Sequence, residues 1–128
     1  LRRGVEAEVL PAVNAYGLGF LPFFPLYNGL FTGKFSRDGG PADSRIMALR
    51  PQVLEDANWD VMESYEAFCA ERGISMLAAT FAWLLAQPGL TSVIAGATRP
   101  EQIQQNADVV SSWKPTPYEV AEISTLFA

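Results

Sequence analysis

Histidine is absent from the 128 residues, and cysteine nearly so, with Cys69 standing alone. Chemistry that needs an imidazole therefore lies outside this chain. A single cysteine makes an internal disulfide impossible and is compatible with a reducing compartment. Cys69 falls on the apolar face of an expected helix, where burial is a simpler role than reactivity. Basic residues are the minority: nine Lys and Arg face fourteen Asp and Glu, for a net charge of −5. With no basic cluster or stripe, nucleic acid is not an expected partner. No uninterrupted apolar stretch is long enough to span a bilayer, and no basic leader with an apolar core opens the sequence. The expected location is the cytoplasm, with no membrane partner. Internal repeats and low-complexity tracts are lacking too. What remains is 49% hydrophobic and 18% charged, the balance of a soluble globular unit.

The most informative stretch present is V-I-A-G-A-T-R-P-E-Q-I-Q-Q-N, from Val93 to Asn106. A short apolar strand, Ser92 to Ala95, ends at Gly96, and a small-residue loop leads to a helix opening on Thr98. Thr98 and Glu101 have the T-x-x-E spacing of a capping box, and Pro100 is tolerated in a first turn. The first amides of such a helix lack internal partners and carry the positive end of its dipole, so they suit an anion. Arg99, Gln102, Gln105 and Asn106 add one guanidinium and three amides to the first two turns. Taken alone, the stretch is equally an ordinary capped helix behind a buried strand.

A second segment, G-F-L-P-F-F-P-L-Y-N-G-L-F-T-G-K-F from Gly19 to Phe35, is another apolar strand running into a Pro/Gly-punctuated loop that ends on a lysine. Together the two segments resemble the aldo-keto reductase superfamily, whose pattern is an aromatic residue, S-P-L, G-L-L-T-G-K-Y, and later G-A-S/T-x-x-E-Q-x-x-x-N. The resemblance covers nearly the whole chain, and the two motifs stand in the expected order and separation.

Between the motifs the pattern alternates strand and helix. Residues 5 to 16 read as a helix with Val5, Val9, Leu10 and Val13 on one face, a kink or fresh start at Pro11, and a left-handed stop at Gly17. Leu18 to Phe24 read as a strand whose pairing ends near Pro22. Residues 27 to 58 are a long connection rich in Gly, Pro, Asp and Ser. Asp60 to Arg72 is a helix stopped by Gly73, with Val61, Met62, Tyr65, Phe68 and Cys69 at helical spacing. Ser75 caps a segment from Met76 to Gln87 that is apolar almost all round and needs cover on several sides. A second T-x-x-E box, Thr116 to Glu119, starts a terminal helix. Both strands look buried on both faces, as in a parallel sheet under helices.

The family's (β/α)8 TIM barrel has roughly 250 residues or more. The resemblance therefore implies an α/β fold that is the C-terminal half of the barrel, strands seven and eight with their helices, an incomplete domain over residues 1–128. The opening Leu1-Arg2-Arg3, with no initiating Met, fits a fragment of a longer protein. The apolar helix from Met76 to Gln87 is the surface that such a half would expose.

The resemblance also implies an NADP(H) site. Phe23 falls on the aromatic that stacks on the nicotinamide, and an aromatic face can hold a ring without donating a proton. Read from the residues alone, Phe23 is one more core phenylalanine. Phe24, Pro25, Leu26, Tyr27 and Asn28 match the loop that wraps the pyrophosphate, though Phe24 replaces a serine and Tyr27 a small residue. Lys34 matches the lysine of T-G-K, and Arg45 the arginine of a downstream S-R pair. Both are cations that could meet phosphate through charge-assisted bonds, or solvated loop charges. Gly96, Ala97, Thr98, Arg99, Gln102, Gln105 and Asn106 match positions that hold the adenosine 2′-phosphate and adenine, with Gln105 where many members carry Glu. Positive charge at Arg99 beside a helix N-terminus favours NADP(H) over NAD(H). No catalytic residue carries over: the family's tyrosine, lysine, aspartate and histidine come from the barrel's first half.

Three functions follow as expectations. The first is the cofactor-binding half of an oxidoreductase moving hydride between NADPH and a small aldehyde or ketone. The second is a non-catalytic, cofactor-binding regulatory subunit. The third is a self-associating half-barrel without activity, pairing through its strand edges.

Overall fold

A computed structural model of the protein describes residues 3–128; Leu1 and Arg2, in the opening triplet noted above, lie outside them. Among the described residues seven α-helices follow one another: α1 (Val9–Ala15), α2 (Arg45–Leu49), α3 (Gln52–Glu55), α4 (Trp59–Glu71), α5 (Met76–Leu85), α6 (Pro100–Val109) and α7 (Pro117–Leu126). Two 3-10 turns, Gly4–Glu6 and Tyr27–Thr32, complete the regular structure.

The helices start and stop where local chemistry says they should. Asn58 and Ser75 accept hydrogen bonds from the amides of Val61 and Ala78, capping α4 and α5. Thr116 and Glu119 form the full reciprocal box at α7, with Pro117 in the first turn. Gly17 and Gly73 close their helices at φ +63°, a conformation that an L side chain adopts only at a cost. The helix expected from residue 5 breaks into a 3-10 turn and a fresh start at Val9, and of its apolar stripe only Leu10 and Val13 are buried.

The two strands are a correction. Among the described residues no strand forms, and one isolated parallel bridge, Phe20 to Leu90, is all that joins the two segments. It is closed by Phe20 N–H to the Gly89 carbonyl (2.9 Å) and Thr91 N–H to the Phe20 carbonyl (3.0 Å). Residues 92–97 have no regular secondary structure. A strand exists through its neighbours' ladders, and no third segment supplies one here. Nor are the segments buried on both faces: Leu18, Leu21 and Ile94 are all more than half exposed.

The core lies instead among α4, α5, α7 and the connection from residue 27 to 58. Leu30, Phe31, Phe35, Ile46 and Val53 fold in from that connection to meet Met62, Tyr65, Phe68, Cys69, Met76, Ala79 and Ile123. The stretch read as one long loop thus contributes a large part of the core. The apolar helix α5 is buried from Met76 to Ala82 rather than exposed, because the 3-10 turn of the connection, α4 and α6 pack against it. Its Trp83 Nε1–H donates to the Val120 carbonyl (3.2 Å) and the Ser124 hydroxyl (3.0 Å) of α7. Arg72, at the end of α4, reaches Glu119 (3.3 Å) and Glu122 (2.9 Å) on α7 while lying 3.7 Å over the Phe68 ring. α6 lies against α5 but buries none of its own residues.

Candidate functional site

A cleft of about 510 Å³ opens between α1, residues 20–28, α3, α5 and α7. Phe23, Phe24, Pro25, Tyr27 and Asn28 form one rim, Arg50, Gln52 and Asp56 another, and Tyr65, Thr80, Trp83 and Phe127 the depth. The rim loop has an unusual backbone. Phe24, Tyr27 and Asn28 sit at φ 51°, 45° and 61°, the left-handed region that bulky L residues avoid. Conformations of this kind cost about 1–3 kcal/mol each and gather at ligand clamps. The Phe23 ring turns outward, 86% exposed, with the Phe24 ring tilted by 50° against it at a centroid distance of 4.2 Å. Leu26 points inward and packs on the core.

Polar groups in this cleft are few and unevenly matched. Asn28 Oδ1 is buried with no hydrogen-bond donor. The Tyr65 hydroxyl and the Thr80 hydroxyl bond to each other at 3.0 Å, and burial pushes the Tyr65 phenol well above its ordinary range. Arg3 holds Glu6 through two bonds of 2.6 and 2.7 Å, and this guanidinium keeps the Glu6 carboxyl below its usual value. Behind the cleft, burial raises the Cys69 thiol to about 12, which leaves it inert.

The other expected site residues lie elsewhere. Lys34 borders a separate shallow hollow with Ser36, Asp38 and Glu66, its ammonium 5.3 Å from the Phe35 ring centre. Arg45 is exposed at the first position of α2 and lines neither hollow. Gly96, Ala97, Thr98, Arg99 and Gln105 are exposed, and Gln102 and Asn106 half-buried; none lines the cleft.

The box expected at Thr98 and Glu101 is also corrected. Arg99 is the N-cap, in extended backbone at φ −140° and ψ 146°, with Pro100 at the first helical position. A proline forces that conformation on the residue before it, which moves the helix start one residue on. The reaching side chain is then Gln102, whose Oε1 accepts from the Thr98 amide (2.8 Å) and hydroxyl (3.2 Å). No side chain caps the Arg99 end, so its first amides face solvent.

Sequence reasoning missed Arg50, Tyr65, Thr80 and Phe127 as cleft residues. Tyr65 stands on the apolar stripe of α4, Thr80 lies buried within α5 and Phe127 packs against the core, and all three border the cavity. Arg50 had one weak signal, its place directly before Pro51, which ends α2 and leaves the side chain free.

The aldo/keto reductase family model matches residues 1–127. The chain is 36% identical over 110 residues to a probable voltage-gated potassium channel subunit beta of Oryza sativa subsp. japonica, covering 82% of this chain and 34% of that protein. It is 33% identical over 131 residues to L-glyceraldehyde 3-phosphate reductase of Escherichia coli strain K12, covering 96% and 38%. A third relative, the NADH-specific methylglyoxal reductase of the same strain, is 33% identical over 109 residues, covering 83% and 33%. The chain thus spans about a third of the length of each, 33% to 38%. Its backbone matches a glycerol dehydrogenase from Gluconobacter oxydans with a TM-score of 0.76 at 25% identity, over 99% of this chain and 39% of that one.

Proposed function

The chain belongs to the aldo/keto reductase family, and from that premise we propose that it is the cofactor-binding C-terminal portion of an NADP(H)-dependent carbonyl reductase in the cytoplasm. On this reading it is half of a (β/α)8 barrel: residues 18–24 and 92–95 become strands seven and eight once neighbouring strands complete their ladders. The observation that carries the reading is the rim loop. Phe23 offers an uncovered aromatic face, Asn28 a buried acceptor awaiting a donor, and both border one cleft.

These residues suit a nicotinamide nucleotide. Phe23 would lie on the ring, residues 24–28 would follow the pyrophosphate, and Arg99 with the first amides of α6 would meet the 2′-phosphate. Lys34 and Arg45 add positive charge in the loop that follows. The bound cofactor supplies or accepts the hydride, and the substrate is a small aldehyde or ketone. This chain's share is to bind and orient; the proton donor and its helpers belong to the family's other half.

The choice of NADP(H) rests on Arg99, since one relative is named NADH-specific. In the full-length protein, Arg99→Ala should weaken NADPH roughly ten- to a hundredfold, the worth of a charged hydrogen bond, and leave NADH nearly unchanged. Equal losses for both cofactors, read by titration, would remove Arg99 from the 2′-phosphate.

A second reading is supported by the relatives named as potassium channel beta subunits in rice and Arabidopsis thaliana. A regulatory subunit could bind the same cofactor without turning it over. The family's tyrosine, lysine, aspartate and histidine, present together in the parent chain, would favour the enzyme; their absence would favour the subunit. The exposed apolar run of Leu18, Leu21, Phe23 and Ile94 supports the third possibility, self-association of the isolated portion.

A further inference from the structure

Among the described residues two cations border the cleft, and they differ in what occupies them. Arg3 is committed to Glu6 by both bonds of its fork. Arg50 is not committed: among the described residues no carboxylate lies within 4.0 Å of it and its guanidinium donates no hydrogen bond. Its backbone is fixed all the same, because its amide closes α2 on the Ile46 carbonyl (2.9 Å). Its guanidinium carbon stands 5.8 Å over the centre of the Phe24 ring. Asp56 borders the same cleft without pairing with it, so the five N–H donors of Arg50 remain available beside an aromatic rim.

A guanidinium resting on an aromatic face keeps its fork in the ring plane's neighbourhood and loses little entropy when it binds. The geometry assigns Arg50 as the cleft's anion anchor: we infer that it grips a phosphate of the nicotinamide half of the cofactor from within the cleft, which neither Lys34 nor Arg45 lines. The assignment rests on the cofactor reading above, because that reading puts the pyrophosphate on the loop beginning at Phe24. A paired, two-pronged contact to phosphate is the geometry at which arginine excels and lysine does not. Asp56 then acts against binding, as the nearby negative charge on the same wall.

The test compares three ligands on the full-length protein, by quenching of tryptophan emission: NADPH, NADH and reduced nicotinamide mononucleotide, which carries one phosphate and no adenosine. Arg50→Gln should weaken all three alike by tenfold or more, Arg50→Lys should restore part of the loss, and Lys114→Gln, at an exposed cation that lines neither hollow, should change none by more than about twofold. Asp56→Asn should tighten all three, and raising the salt should erase the difference between Arg50→Gln and the parent. Unchanged thermal midpoints across the set would show that folding is not being read. If Arg50→Gln leaves every affinity intact while Arg99→Ala still costs NADPH selectively, the Arg50 assignment fails and the cofactor reading survives. If the parent binds none of the three nucleotides, the cofactor reading fails and takes Arg50 with it.

Discussion

The hydrogen bond between Tyr65 and Thr80 is a direct test of whether the cleft has the depth described. The two hydroxyls meet at 3.0 Å between α4 and α5, with the residues 1% and 7% exposed. Tyr65→Phe removes only the hydroxyl, because the ring keeps its edge contacts with Phe31 (5.9 Å) and Phe127 (5.3 Å). The stranded Thr80 hydroxyl can still turn back to the carbonyl one helical turn earlier, so the loss should be near the low end for a buried hydrogen bond, about 1 kcal/mol. Thr80→Val is nearly isosteric but strands a phenol hydroxyl with no other protein partner. That cost should be larger, about 1–3 kcal/mol. Removing both hydroxyls leaves no orphan, so the double variant should lose less than the sum, with a coupling of about 1 kcal/mol. Urea unfolding of the four proteins at neutral pH gives each value from midpoint and slope. Additivity within about 0.5 kcal/mol would mean that the hydroxyls do not meet, or that water reaches both. The α4–α5 wall would then be open.

Three further outcomes follow from the same framework. Stability should fall on the alkaline side: the Cys69 thiol, ordinarily near 9, is raised to about 12, and the Tyr65 phenol, ordinarily near 10, is raised further. Both folded values exceed the unfolded ones, so the stabilisation is complete below pH 9 and drains away as pH rises; Cys69→Ala should flatten the first part of that decline in urea midpoints, and a pH-independent midpoint from 8 to 11 would refute it. The isolated chain should show no NADPH oxidation with 4-nitrobenzaldehyde above a denatured control, since it has no histidine and no catalytic tyrosine context; measurable turnover would place the chemistry here. At micromolar concentration the isolated chain should self-associate and bind ANS through Leu18, Leu21, Phe23 and Ile94, and Leu21→Lys with Ile94→Lys should reduce both signals in light scattering and dye fluorescence; a clean monomer with no dye binding would show that those side chains are covered.

What could be read from the sequence divides along a physical line. Helix ends were legible because a cap is local: Ser75 and its bond to Ala78, or Thr116 with Glu119, need only three or four residues to form. The register of α6 slipped by one because the effect of Pro100 on Arg99 outweighed a T-x-x-E spacing that looked sufficient. Strands were illegible in the opposite sense: the apolar pattern at 18–24 is real, but a ladder is a property of neighbours, and one bridge is all that this chain supplies. The connection from 27 to 58 was misjudged because its Gly and Pro content masked five core side chains, Leu30, Phe31, Phe35, Ile46 and Val53.

The candidate site shows the same division at higher order. The motif at 23–28 falls on the rim loop, and all of it except Leu26 borders the cleft. Lys34 and Arg45 were placed by their offsets along the connection, and the structure sets both outside that cleft. Arg50 reached the rim because Pro51 ended α2 there and because Phe24, twisted to positive φ, offered its ring. Of those causes only Pro51 is visible in sequence; the positive φ of Phe24 is not, and their meeting depends on how α2 is carried by the buried Ile46 beside the loop. A substitution that shifts Ile46 should therefore move Arg50 from Phe24 without touching either residue. Ile46→Ala, at 0% exposure, should cost about 2–5 kcal/mol in urea unfolding. In whatever protein remains folded it should also weaken nicotinamide mononucleotide as Arg50→Gln does. An Ile46→Ala protein that is destabilised by that amount but binds the mononucleotide normally would show that the anion anchor is held by something other than α2.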